Sequence, residues 1–96
     1  MVHLNNKFTA NLDFSVVKLD DKEYRLTETQ SKIVEYAFKQ LEKGIEVLSY
    51  FDIADGVLTD GVALTRHSRM SNYFQKELNV TTLFRREKGR YHLITD

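Results

Sequence analysis

The stretch from Thr27 to Gly44 constrains the fold of this chain more than any other, because both of its ends and its buried face are written in the sequence. Thr27 is a residue type that caps the first amides of a helix, and Gln30 stands three positions on, where its side chain can return the bond to the Thr27 amide. Ile33, Val34, Ala37, Phe38 and Leu41 then recur at helical spacing, while Glu35, Lys39, Glu42 and Lys43 fall on the other side. Gly44 is placed to end the helix in a left-handed cap. A helix with one continuous apolar stripe must lie against other apolar elements, and 96 residues give room for one such core. The spacing therefore predicts a core helix with no chemistry of its own.

The flanking segments supply candidate partners for that face. Phe14-Ser15-Val16-Val17-Lys18-Leu19 and Tyr24-Arg25-Leu26 read as strands around an Asp20–Glu23 turn, an N-terminal hairpin. Residues 1–12 read as a flexible lead-in, which makes 13–96 a single domain. After Gly44, residues 45–48 read as a short strand. Ser49-Tyr50-Phe51-Asp52 is a second capping signal, opening a short helix expected to stop at Asp55-Gly56. Phe51, Ile53, Val57 and Leu58 are expected core contacts. The segment 57–63 fits either a loop or an early cap by Asp60.

A third amphipathic helix is expected from Leu64 to Leu78. His67, Met70, Phe74 and Leu78 share one side; Thr65, Ser68, Arg69, Asn72 and Lys76 share the other, with Arg66 and Tyr73 at its edge. Cations, hydroxyls and amides are the groups that reach phosphates and base edges in a major groove. A solvated outer face would have the same periodicity. Beyond it, TLFRRE and RYHLIT read as two strands joined at Lys88-Gly89.

Charge separates along the chain although the net charge is zero. Residues 1–60 hold seven Lys/Arg against eleven Asp/Glu, and residues 61–96 hold seven against three. Arg85, Arg86, Lys88 and Arg90 face only Glu87 within six residues of the last hairpin. Such a tip suits phosphates or a minor groove, although edge strands are also charged simply to prevent aggregation. Catalytic and metal chemistry find no such pattern. There is no cysteine, His3, His67 and His92 lack ligand spacing, and no phosphate-binding loop occurs. Asp52, Asp55 and Asp60 lack the closing glutamate of a calcium loop. The opening residues have no apolar run like that of a signal peptide, and no membrane-length run follows; a cytoplasmic location is expected.

Several of these segments, in this order, resemble a winged helix-turn-helix domain of the kind found in the effector domains of bacterial response regulators. Leu26-Thr27 with Gln30 resembles the opening of that family's first helix, where glutamate usually replaces Gln30. Val47-Leu48-Ser49-Tyr50-Phe51-Asp52-Ile53 is similar to its strand-to-second-helix passage. Lys88-Gly89-Arg90-Tyr91-His92-Leu93 resembles its wing ending, with Arg90 in place of a second glycine. The Ser68-Arg69-Met70 and Phe74 arrangement also looks like small stand-alone winged-helix proteins of bacteria and phages. The resemblance implies an α+β fold in the order β-β-α-β-α-α-β-β, with Thr65 to Leu78 as recognition helix and Arg85 to Tyr91 as wing. A stand-alone module without a preceding receiver domain is expected, so control by phosphorylation is not carried over from the resemblance, and the recognition-helix positions do not match that family one by one.

The function expected is double-stranded DNA binding, sequence-specific or architectural, in transcriptional regulation. The DNA-contacting residues would be Thr65, Arg66, Ser68, Arg69, Asn72, Tyr73, Lys76, Arg85, Arg86, Lys88 and Arg90, with no catalysis, metal or cofactor. The alternative is a winged-helix module whose partner is another protein.

Overall fold

The computed structural model describes residues 2–3, 8–19, 22–64, 70, 73–74 and 83–93, the first pair as backbone alone. Four strands open the chain: β1 (Val2–His3), β2 (Phe8–Ala10), β3 (Val16–Leu19) and β4 (Lys22–Arg25). They form one antiparallel sheet in chain order. The register sets Phe8 opposite Leu19 and Ala10 opposite Val17. Side chains alternate across a strand, so these four share the face that meets the core. Phe8 and Val17 are fully buried there.

The turn between β2 and β3 is held by its own side chains. The Asn11 side chain accepts a bond from the Val16 amide at 3.0 Å and donates to Ser15 Oγ at 2.8 Å. Asp13 accepts from the Ser15 amide and hydroxyl, and these bonds hold its carboxyl below the usual range. Phe14 sits at φ 58, a left-handed conformation that costs a non-glycine residue about 1–2 kcal/mol. Its ring is buried and lies 5.3 Å from that of Phe38. Burial of a large apolar side chain, worth about 1.5–3 kcal/mol, offsets the backbone cost.

Helix α1 (Glu28–Glu42) begins as the sequence predicts. Thr27 and Gln30 form both bonds of a capping box. Its far end closes with Gly44 at φ 87, the Gly44 amide bonding to Leu41 and the Ile45 amide to Gln40. That pair of bonds is the Schellman arrangement. Ile33, Val34, Ala37 and Phe38 are buried, and Leu41 is partly so. The next pieces are β5 (Leu48–Ser49) and α2 (Tyr50–Leu58), which Ser49 and Asp52 cap reciprocally. Strand β5 joins β6 (Phe84–Glu87) and β7 (Arg90–Leu93) in a second antiparallel sheet, ordered β5-β7-β6. One cluster of buried side chains joins both sheets and both helices, with Met70, Phe74 and Leu83 inside it.

The winged helix-turn-helix expectation is corrected by this architecture. The described residues form two helices and two antiparallel sheets of four and three strands, not three helices with a hairpin at each end. The expected third helix, 64–78, falls largely outside the described residues; of those described, the Tyr73 amide bonds to the Met70 carbonyl at 3.0 Å. The expected lead-in is also corrected. Residues 8–10 are a core strand, because Phe8 stacks on Phe38 with centroids 6.3 Å apart.

Two smaller differences concern α2. The helix continues through Gly56 to Leu58 rather than stopping at Asp55-Gly56. Gly56 lies against the Tyr36 ring, where a Cβ would overlap the aromatic atoms. It is therefore a close-approach glycine, and the terminating one is Gly61, at φ 86, with the Val62 amide bonded to Val57. Asp60 belongs to this closing turn. Helix α2 buries Ile53 and Val57 and leaves Phe51 and Leu58 exposed, at 62% and 58%, because the Gly56 contact fixes which side meets α1.

Candidate nucleic-acid interface

The β6–β7 hairpin presents its cations from a firmly anchored base. The register pairs Phe84 with Leu93, Arg85 with His92, Arg86 with Tyr91 and Glu87 with Arg90. Alternation turns Phe84, Tyr91 and Leu93 inward, and all three are buried. Phe84 meets Phe74 edge-on at 5.9 Å and Tyr91 edge-on at 6.3 Å, geometries that aromatic rings favour. Arg85, Glu87, Arg90 and His92 consequently belong to the outer face. Arg86 shares the inner row with Tyr91 but emerges into solvent near the tip.

The turn itself is a two-residue connection with positive φ at both positions, Lys88 at 50° and Gly89 at 76°. Such turns match the right-handed twist of paired strands, and Asn-Gly or Gly-Gly fills them with little strain. Lysine at the first position does not. The structure thus spends backbone strain to hold a cation at the apex. Glu87, opposite Arg90, offsets part of the charge there.

Strand β5 widens this surface. Ser49 pairs with Arg90, so Val47 lies on the same outer face one step along. Val47, Glu87, Lys88 and Arg90 line a shallow concavity of about 350 Å³. Val47 is 46% exposed, a placement that reading residues 45–48 as a plain strand does not reveal. Its signal was the alternation with Leu48, which is buried on the opposite face.

Of the expected DNA-contacting residues, Arg85, Arg86, Lys88 and Arg90 come together on this hairpin, all exposed. Tyr73 is placed elsewhere. It is half-buried, its hydroxyl lies 3.4 Å from that of Tyr50, and its carbonyl accepts a bond from Gln30 Nε2 at 2.7 Å. Burial, and then the hydrogen bond to Tyr73, push the Tyr50 hydroxyl well above the ordinary tyrosine range. Thr65, Arg66, Ser68, Arg69, Asn72 and Lys76 lie outside the described residues.

Among the described residues no group of three or more His, Asp or Glu side chains is set to hold a metal, and no helix is long and apolar enough to cross a membrane. Comparison with family models, with curated proteins and with solved structures finds no match.

Proposed function

We propose that the chain binds double-stranded DNA through the β6–β7 hairpin, in the service of transcriptional regulation. The observation that carries this reading is the apex, where Lys88 occupies a left-handed position that asparagine or glycine would fill with less strain. Arg85, Arg86 and Arg90 lie around it on a hairpin anchored by Phe84 and Tyr91. Cations held on a rigid protrusion displace condensed counterions from a phosphate backbone. Sequence preference would come from the expected base-contacting residues of 65–76, and affinity from the hairpin.

Fluorescence anisotropy with a labelled random duplex tests it. Log affinity should fall against log salt with a slope of about −0.9 for each phosphate contact. Arg86→Ala with Lys88→Ala should weaken binding to all sequences alike and flatten the slope by about one unit per lost contact. Absence of salt-sensitive duplex binding by the folded protein at low ionic strength would end this reading.

A further inference from the structure

Strand β4 ends the N-terminal sheet, and no described strand pairs with its outer side. Its ladder to β3 fixes which backbone groups that side offers. The Leu26 amide donates to the Ser15 carbonyl at 2.7 Å, which makes 15 and 26 a hydrogen-bonded pair. Bonded and non-bonded pairs alternate along an antiparallel ladder. Tyr24, opposite Val17, and Lys22, opposite Leu19, therefore also turn their amides and carbonyls toward β3. Those of Glu23 and Arg25 turn outward. The Asn11 amide agrees, since its bond of 3.1 Å takes the Val16 carbonyl toward β2 and away from Arg25 opposite. The side chains alternate as well: Tyr24 packs on the core with Val17, while Glu23 and Arg25 are exposed on the other face.

We propose that this edge pairs with the same edge of a second copy of the chain, antiparallel about a two-fold axis at Tyr24, joining the two four-stranded sheets into one. The charges select that register. An axis at Glu23 sets Glu23 against Glu23, and an axis at Arg25 sets Arg25 against Arg25; like charges directly opposite are destabilising. An axis at either end of the strand pairs fewer residues. The axis at Tyr24 places Glu23 of each copy opposite Arg25 of the other, and both residues have the outward backbone groups that a bonded pair needs. Glu23 then lies between Lys18 of its own β3 and Arg25 of the second copy. Lys22 falls opposite Leu26, along which its aliphatic stem can lie. Charged side chains on an edge strand ordinarily deter a second strand; here they deter the neighbouring registers and favour one. The pairing uses β4 of both copies and so closes at the dimer. The β6–β7 hairpin belongs to the other sheet, and the inference does not rest on duplex binding.

Sedimentation equilibrium without DNA, over a concentration series at low salt, tests the dimer directly. Glu23→Arg and Arg25→Glu should each raise the dissociation constant by about tenfold or more, because each puts two like-charged pairs across the axis. An equimolar mixture of the two variants should associate again, since every cross-strand pair in that heterodimer is of opposite sign. Glu23→Pro removes an outward amide and spares the ladder to β3, as proline on a sheet edge does. It should leave a monomer with the melting temperature of Glu23→Ala. A wild-type protein that stays monomeric to millimolar concentration overturns the proposal and returns β4 to an ordinary charged edge. A dimer indifferent to both charge reversals overturns it too, as do single variants that fail to recombine on mixing. Duplex binding is read separately, by anisotropy, and stands or falls without β4.

Discussion

Gln30 performs two tasks with one amide. Its Oε1 accepts from the Thr27 amide at 2.9 Å, which completes the cap of α1, and its Nε2 donates to the Tyr73 carbonyl at 2.7 Å. Glutamate could do the first and not the second, a physical reason for glutamine at this position. Gln30→Glu should therefore destabilise the protein by about 1–3 kcal/mol at neutral pH, the cost of facing an acceptor with an unmatched charge. The carboxyl of that variant would have a higher pKa folded than unfolded, so its deficit should shrink as pH falls and the protonated acid donates to Tyr73. Urea melts of variant and wild type at pH 7 and pH 4.5 read this directly; a neutral or stabilising effect at pH 7 would remove the second bond. Lys88 gives a complementary test at the apex. Lys88→Asn should raise stability by about 0.5–1 kcal/mol by relieving the left-handed lysine, while duplex affinity falls. Stability and binding moving together would separate the strain from function.

At the scale of elements, both ends of α1 and the start of α2 were legible because helix punctuation is local. Thr27 with Gln30, Ser49 with Asp52, and Gly44 act within a few residues of themselves, and the structure reproduces each. The orientation of α2 was not legible. Whether Phe51 or Ile53 turns inward depends on Tyr36, a residue of another helix, and Gly56 reads as a stop signal until that ring is seen against it. Gly56→Ala tests the contact against propensity. Alanine favours a helix over glycine by about 1 kcal/mol, yet overpacking a close contact costs about 1–3 kcal/mol. The variant should melt lower than wild type, and adding Tyr36→Ala should recover the helix-propensity gain. A higher melting temperature for Gly56→Ala alone would mean that the ring simply swings aside.

For the molecule as a whole, the first two strands of the N-terminal sheet are the part the sequence concealed most completely, whereas its β3–β4 hairpin was readable. Residues 1–12 show no sustained alternation and carry polar Asn5, Asn6 and Lys7, so nothing nearby announces a strand. What makes residues 8–10 a core strand is distant: Leu19 in the register and Phe38 on α1. Phe8→Ala should accordingly cost about 3–5 kcal/mol in chemical denaturation, the range for truncating a buried aromatic ring. A loss below about 1 kcal/mol would detach the sheet from the core. The candidate site divides in the same way. The charge of Arg85, Arg86, Lys88 and Arg90 could be counted in the sequence, but the strain at Lys88 and the exposure of Val47 arise from pairing with β7 and β5.

The two sheets also differ in how far along the chain their partners lie. Strands β1 to β4 pair only with their neighbours in sequence, whereas β5 must find β7, Leu48 meeting Tyr91. Closing a long loop costs entropy that local pairings avoid, and topologies with distant contacts assemble more slowly. The meander with α1 is thus suited to form first, and the joining of β5 to β7 to come late. With no proline in the chain, no prolyl isomerisation is available to mask the order of those events in a refolding experiment. A protein whose proposed duplex-contacting surface is completed by its slowest strand pairing becomes competent to bind only once the rest has formed.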